Sequence, residues 1–587
     1  MKPYTAPVDD YLFLMQDVFG LFEGGLAGGA DLAPDLVEAI LREAGRFAED
    51  VLQPLNAVGD AHGCRYHDDG TVTAPPGFRQ AYAQFVDAGW NALAAPARWG
   101  GQQMPATVAT AVEEFCNSAN QSFTMYTGWG LYAALMLEAG GAEHLRQTYL
   151  PRIVAGEWSG AMGLTEPHCG SDIGLLRTRA VAEGDAYRVT GTKIFNSGGE
   201  HDLAENIVHF VLARIEGAPK GSRGISLFLV PKSIPDPETG VLRPNAVRCD
   251  GIEHKMGLNG SATCTMTFDG AQGWLIGAPN QGLAIMFLLM NHTRRAIGVI
   301  ATGVAEAASQ RAAAYVRDRV QGRSPIPGRR SDADADPLIE QPDVRRLLLT
   351  IRATVEGSRA LVLWTAWQAD IAEQAAGQQR NAEAQASLDL VTPVIKAYLS
   401  DITFDATVLA QQLFGGHGYV TATGVEQLVR DSRVLMVGEG ANAIQAVDLV
   451  LRKLRQDDGR AMARLVSDIS GCIDACPPDD TFAPLLASAL ADLEASTRHV
   501  QAGAVAAASA GAYAYMYLFG QVLLGYMWLR MAAAARKNLG GQDDARWRFK
   551  IATARFYFEQ MLPASAVHRQ RVFAESDYMM DLPADAF

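Results

Sequence analysis

The chain has 587 residues, about four times the ~150-residue soft prior for one domain, which excludes a single small binding module. Hydrophobic residues make up 49% and charged residues 20%, a globular composition outside the disordered class. With Lys+Arg 50 against Asp+Glu 65 the net charge is −15. That is a poor match for nucleic acid, whose affinity rests on neutralising phosphates, although a small anion can still bind at a local basic spot.

The opening Met1–Asp10 is acidic where a signal peptide is basic and then apolar, so a cytoplasmic location is expected. From Asp35 to about Tyr149 apolar residues recur at three-to-four spacing, as in Leu36-Val37-Glu38-Ala39-Ile40-Leu41, with loops at Pro96, Gly100-Gly101 and Pro105. After Pro151 the texture changes. Tyr187–Phe195, Asn206–Ile215, Gly224–Lys232 and Ala262–Phe268 are short β-rich runs between Gly, Pro and Asp, which predicts an antiparallel sheet. Helices return from about Gln281 to Leu454, interrupted by a polar Gly322–Pro342 loop and by Gly415-Gly416-His417-Gly418, and a last Ala-rich helical block covers roughly Asp457–Phe587. The expected fold is therefore α+β and multidomain: an N-terminal helical domain (1–160), a central antiparallel β domain (161–280), a helical bundle (281–456) and an additional C-terminal helical domain (457–587). This is not the alternating order of a dinucleotide-binding βαβ fold. Residues 502–529 carry no charged side chain and have the length of a membrane span. Their Ala- and Gly-rich first half suits close helix packing in a bundle core instead, and no membrane span is expected.

Cys64, Cys116, Cys169, Cys249, Cys264, Cys472 and Cys476 are sparse, odd in number and without CxxC spacing, which argues against a disulfide framework and a zinc site. The histidines show no ligand spacing either, so no metal is expected. No GxSxG elbow, Walker loop or GxGxxG after a strand is present.

Leu164-Thr165-Glu166-Pro167-His168-Cys169-Gly170-Ser171-Asp172 stands where the first helical block meets the β block. Its hydroxyls and glycine let backbone N–H groups approach a flat polar ring or a phosphate, and an Asx- or Ser-capped turn accounts for it equally well. Lys193-Ile194-Phe195-Asn196-Ser197-Gly198-Gly199 ends a strand with an aromatic that can wall a planar ring and a hydroxyl that can bond its edge; the alternative is a hairpin turn. In Met290-Asn291-His292-Thr293-Arg294-Arg295 the arginine sits between apolar flanks, so it needs an anion, a wet groove or a structural ion-pair partner. Arg317, Arg319 and Arg323 close that helix, where cations also favour a helix C-terminus. Gln412-Leu413-Phe414-Gly415-Gly416-His417-Gly418-Tyr419 has three glycines in four residues, more than one C-cap requires. Gly438-Glu439-Gly440 precedes a helix, so Glu439 reads as a cap or as a general base on an accessible loop.

Taken in order, LTEPxxGSD, the β block, the arginine-bearing helix, QxxGGxGY, RDxR at Arg430–Arg433 and xEGxxxIQ ending at Gln445 resemble the acyl-CoA dehydrogenase family over about residues 35–455. The opening segment, Asp202-Leu203-Ala204-Glu205-Asn206 and the C-terminal block are similar to a longer branch of that family, so the resemblance spans the chain. It implies FAD, with flavin contacts on Leu164, Thr165, Gly170, Ser171, Phe195 and Ser197. It implies that Arg319 and Gln321 reach the pyrophosphate, and Gln412, Gly415 and Gly416 the adenosine side, from the partner subunit of a homodimer. Asn291 and Arg294 would line the acyl channel, and Glu439 would be the α-proton base for FAD-dependent α,β-dehydrogenation of an acyl thioester in fatty acid metabolism. The substrate would be an acyl-CoA or an acyl carrier protein thioester, and the acceptor an electron-transfer flavoprotein. Where some relatives take the base from the earlier helix, this chain has Thr293, which cannot serve. Gly438 and Ala441 replace a tyrosine and a threonine usual in the family, and Asn196 is an added amide, which bears on the substrate more than on the cofactor. A flavin monooxygenase or oxidase on the same scaffold and a non-catalytic thioester-binding protein are the alternatives.

Overall fold

The computed structural model describes residues 4–23, 32–373 and 378–587; Met1–Pro3 of the acidic opening lie outside it. The chain forms two compact units. One contains Arg46–Pro105 and Ala119–Thr293, the other Met1–Gly45, Ala106–Ser118 and Arg294–Phe587.

The first unit is built on a seven-stranded sheet. Thr263–Ile276 pairs with Ala186–Ser197, which pairs with Arg179–Glu183, then Asn206–Ile215, then Ile225–Pro231, and that strand returns to Trp274–Ile276. Five strands thus close a ring, with Val247–Ile252 and Trp158–Gly163 added outside it. Thr263–Ile276 reaches both neighbours because its register shifts between Cys264 and Met266 and again between Asp269 and Ala271, bulges that bend a strand. The expected runs are present, Asn206–Ile215 with the bounds read from the sequence. The sheet is antiparallel except in two places: Trp158–Gly163 and Arg179-Ala180 both run parallel to Asn206–Ile215. Alternation along a strand carries no information on pairing direction, so this was not readable locally. The first eight residues of Asn206–Ile215 are all buried, as both faces of that strand are covered. Trp129, Tyr149, Trp158, Phe210 and Leu289 share one apolar core there.

The second unit is helical. Pro342–Ala372 and Gln378–Leu413 pack with the Arg294–Asp318 part of a long helix around Val304, Ala308, Ile351, Ala410 and Phe414. The polar segment before Pro342 is irregular, held by Asp336, which accepts from the backbone N–H of Ser324 at 2.8 Å and Ser331 at 2.7 Å. Among the described residues two helices, Gly282–Asp318 and Val505–Lys537, are long and apolar enough to cross a membrane. Val505–Lys537 is a core helix: Gly520 lies so close to the Tyr398 ring that no Cβ fits, and Trp528 donates to the Ala353 carbonyl at 3.1 Å. The small residues serve close helix approach.

A buried ion cluster joins five elements of this unit. Arg359 meets Glu114 and Glu306 at 2.6 Å each and Asp10 at 3.0 Å. Lys550 bridges Asp10 at 2.8 Å and Glu356 at 2.7 Å, and Tyr11 donates to Glu114 at 2.6 Å. Burial alone would raise the Asp10 carboxyl, but Lys550 and Arg359 outweigh it and hold it below the ordinary range.

Candidate active site

In the first unit, Leu164-Thr165 leaves the Trp158–Gly163 strand and lies beside the end of Ala186–Ser197, since Ile194 N–H donates to the Thr165 carbonyl at 2.9 Å. The turn Glu166–Cys169 closes on two backbone bonds of 2.9 and 3.0 Å, which turns Gly170 and Ser171 outward, both exposed. The Asx turn is also real, with Gly174 N–H on Asp172 Oδ1 at 3.0 Å, so the segment serves both readings. Phe195 is 62% exposed and holds φ +54°, a left-handed conformation uncommon for a non-glycine residue and often found at functional sites. Ser197 is exposed next to it, while Asn196 is buried with neither amide atom hydrogen-bonded. An unmet buried amide costs about 1–3 kcal/mol unless a ligand or water reaches it.

Glu166 was not singled out from the sequence, yet it supports this corner. Its carboxylate takes Lys193 Nζ at 2.8 Å and the backbone N–H of Arg177 and Thr178 at 2.7 and 3.0 Å. Burial would raise its pKa, but the Lys193 charge and these bonds bring it down to about 2. Glu166, His168 and Cys169 form a three-donor group within 4.8 Å. The Glu166 carboxylate is held by Lys193 and two amides, and His168 Nε2 lies 3.0 Å from the Leu175 carbonyl, so both side chains already have protein partners.

Asn291 is half-buried on the long helix, three residues before Arg294, and the Thr293 hydroxyl is turned back onto the Met290 carbonyl at 3.1 Å. In the second unit Arg294 Nε donates to the Glu439 carbonyl at 3.3 Å, so the structure brings these two predicted residues together. Burial lowers the Arg294 pKa against the charges of Asp448 and Glu439. Glu439 sits at φ +56° between Gly438 and Gly440, and Gly440 itself is at +91°. The following helix, Asn442–Leu451, takes Ala441 as its N-cap. Glu439 is two residues short of the cap position, which removes the capping explanation for a strained acidic residue.

Arg319, Gln321, Gln412, Gly415 and Gly416 are all exposed. The two helix ends that carry them are adjacent, because Tyr315 stacks on Phe414 at 4.2 Å and meets His417 at 3.2 Å. A Cβ at Gly415 or Gly416 would meet nothing within 4 Å. The residues fit FAD as a donor set: an exposed ring beside a hydroxyl and an unmet amide, and elsewhere an arginine near open backbone.

Four family models match the chain in order: acyl-CoA dehydrogenase N-terminal domain at residues 35–157, middle domain at 161–271, C-terminal domain at 280–454, and acetyl-CoA dehydrogenase C-terminal like at 465–583. The chain belongs to the acyl-CoA dehydrogenase family. It is an FAD-dependent oxidoreductase of acyl thioesters, as that family is. The dehydrogenase is 38% identical to the 3-methylmercaptopropionyl-CoA dehydrogenase of Ruegeria pomeroyi over 98% of this chain and 99% of the relative. Its fold is shared by Caenorhabditis elegans ACDH-11 in complex with C11-CoA, with TM-score 0.76, 20% identity and coverage of 96% and 92% of the two chains. It is shared as well by an acyl-CoA dehydrogenase complexed with FAD from Bacillus anthracis, with TM-score 0.74, 18% identity and coverage of 98% and 94%.

Proposed function

We propose that this dehydrogenase oxidises a saturated acyl-CoA to the 2-enoyl thioester with Glu439 as the α-proton base. The observation that carries the assignment is Glu439 in a left-handed loop between two glycines, bonded through its carbonyl to Arg294 and not serving as a helix cap. Bound FAD supplies the acceptor for the hydrogen and electron pair leaving the β-carbon. The chain's part is to take the α-proton onto the Glu439 carboxylate, so that the α-carbon electrons form the new double bond. Asn291 and Arg294 line the acyl channel in this reading. Leu164, Thr165, Gly170, Ser171, Phe195 and Ser197 hold the flavin. Gly438 and Ala441 leave room beside the base for a branched or polar acyl group.

A homodimer follows from the same reading, with Arg319, Gln321, Gln412, Gly415 and Gly416 serving the FAD of the neighbouring subunit. Their joint exposure supports it. The seven unpaired cysteines support a cytoplasmic setting. An electron-transfer flavoprotein is the expected acceptor, and slow reoxidation of the reduced protein by air is the behaviour that separates this reading from an oxidase. The purified protein is expected to be yellow with FAD and dimeric by light scattering. A colourless preparation that takes up no added FAD contradicts the cofactor assignment, and a monomer with full FAD occupancy contradicts the shared site.

A further inference from the structure

Glu439 is mounted on a turn that backbone sterics disfavour: its φ of +56° and the +91° of Gly440 are consecutive left-handed values, and only the second belongs to a glycine. Such a conformation persists where its surroundings over-determine it. Before the turn, the Gly438 N–H is fixed on the Val434 carbonyl at 2.9 Å. Within it, the carbonyl that Arg294 Nε meets at 3.3 Å belongs to the peptide linking Glu439 to Gly440. The α-carbon that follows is covered by Gln445. A Cβ on Gly440 would stand 2.7 Å from Gln445 Nε2 and 3.8 Å from Arg294 Nη2, so the Gln445 amide occupies the space that a side chain at 440 would need. Gln445 is 1% exposed and sits in the first turn of Asn442–Leu451, its N–H on the Ala441 carbonyl at 3.2 Å. That helix is pinned where it starts: the Asn442 amide donates to Ser400 Oγ at 2.9 Å and to Asp401 Oδ1 at 2.7 Å, and Asp401 also accepts from Tyr513. Gln445 Oε1 is buried with no hydrogen-bond partner, which costs stability, so the side chain acts here through the space it fills.

We propose that Gln445 is a positioning residue for Glu439: its amide is the stop against which the Glu439–Gly440 turn rests, and with Arg294 on the intervening carbonyl it keeps that turn left-handed. This rests on Glu439 being the α-proton base. With the stop in place the turn is held in one conformation and the carboxylate has one reach. Without it the turn relaxes toward ordinary φ values, and proton abstraction, which needs reacting atoms within about 3–3.5 Å, slows. Binding of the thioester does not depend on the stop, so the limiting rate and not the half-saturating concentration carries the effect.

The test is the limiting rate of anaerobic flavin reduction per bound FAD, measured with the saturated acyl-CoA that reduces the protein fastest and with the same thioester carrying deuterium at the α-carbon. Gln445→Ala removes the stop. The limiting rate is expected to fall at least about tenfold at an unchanged half-saturating concentration, and the α-deuterium isotope effect to rise as proton transfer becomes more fully rate-limiting. Gln445→Met refills the space without an unmet oxygen, so it should keep the rate within about threefold and melt at the same temperature or higher. Gly440→Ala drives a Cβ into the stop and should also be slow. Combined with Gln445→Ala, its loss should fall short of the product of the two single losses by at least about threefold, as expected of groups in contact. Should Gln445→Ala fail to fold, as its melting temperature and FAD content will tell, Gln445→Asn withdraws the amide by one methylene and is read in the same way. An unchanged limiting rate, a loss without a rise in the isotope effect, a loss carried by the half-saturating concentration, a Gln445→Met as slow as Gln445→Ala, or independent losses at 440 and 445 each overturn the proposal. Glu439→Gln is the control. Retained reduction in that variant rejects the base itself, whereas its loss together with unmoved rates in the Gln445 variants rejects only the stop.

Discussion

Glu439→Gln is expected to lower flavin reduction by acyl-CoA at least about a hundredfold, while FAD and the thioester still bind. Glutamine keeps the shape and hydrogen-bonding reach of the side chain but has no basic carboxylate oxygen, so the α-proton has no acceptor. General-base removal typically costs roughly 10²–10⁴-fold, and Thr293 offers no substitute. A structural role would give the opposite pattern. If the carboxylate served the neighbouring helix as a cap, the variant would lose about 1 kcal/mol of stability and keep its rate. With Ala441 at the cap and glycine on either side of Glu439, the melting temperature should stay close to that of the unmodified protein. Near-normal reduction together with a lowered melting temperature would reject the assignment.

The second large effect concerns stability. Arg359→Met leaves Glu114 fully buried without the cation that meets it at 2.6 Å, and also releases Glu306 and Asp10. Breaking a buried pair by removing one partner typically costs about 3–5 kcal/mol, because the remaining charge is uncompensated. The sign of its pH dependence follows from Glu114. Burial raises that carboxyl and Arg359 opposes the rise, so the variant raises it further. A carboxyl whose folded pKa lies above its unfolded value stabilises the fold at low pH, and that stability is lost as pH rises through the folded pKa. The deficit of Arg359→Met should therefore be greatest at neutral pH and narrow toward about pH 5. Thermal melts at both pH values check this; a variant within about one degree of the unmodified protein at neutral pH would show that the cluster contributes no net stability. Arg359→Lys keeps the charge but not the two-sided fork, and should fall between the two.

Local patterns carried much of this protein. A short β-rich run marked Asn206–Ile215, and three-to-four spacing marked the helices that precede the sheet in the sequence. The glycines and charged groups around Thr165, Phe195, Gln412 and Glu439 pointed to a family because their order along the chain is specific, although each is ambiguous alone. What escaped was pairing between distant positions. Lys193 with Glu166, Arg359 with Glu114, and Tyr513 with Asp401 are separated by 27, 245 and 112 residues, and a charged side chain on an apolar face looks the same whether its partner is near or absent. The parallel placement of Trp158–Gly163 escaped for a related reason, since strand direction is set by the crossover and not by the strand. The left-handed conformations of Phe195 and Glu439 were equally hidden, because side-chain identity alone favours neither.

Acyl-thioester dehydrogenation is tested by flavin reduction with identification of the product. FAD-loaded protein is mixed without oxygen with a series of saturated acyl-CoA thioesters of different length, branching and polarity, while flavin absorbance is followed and the product identified. At least one thioester is expected to bleach the flavin, with 2-enoyl thioester formed in proportion to the flavin reduced. FAD-loaded protein that no saturated thioester bleaches, or bleaching without an enoyl product, would contradict it.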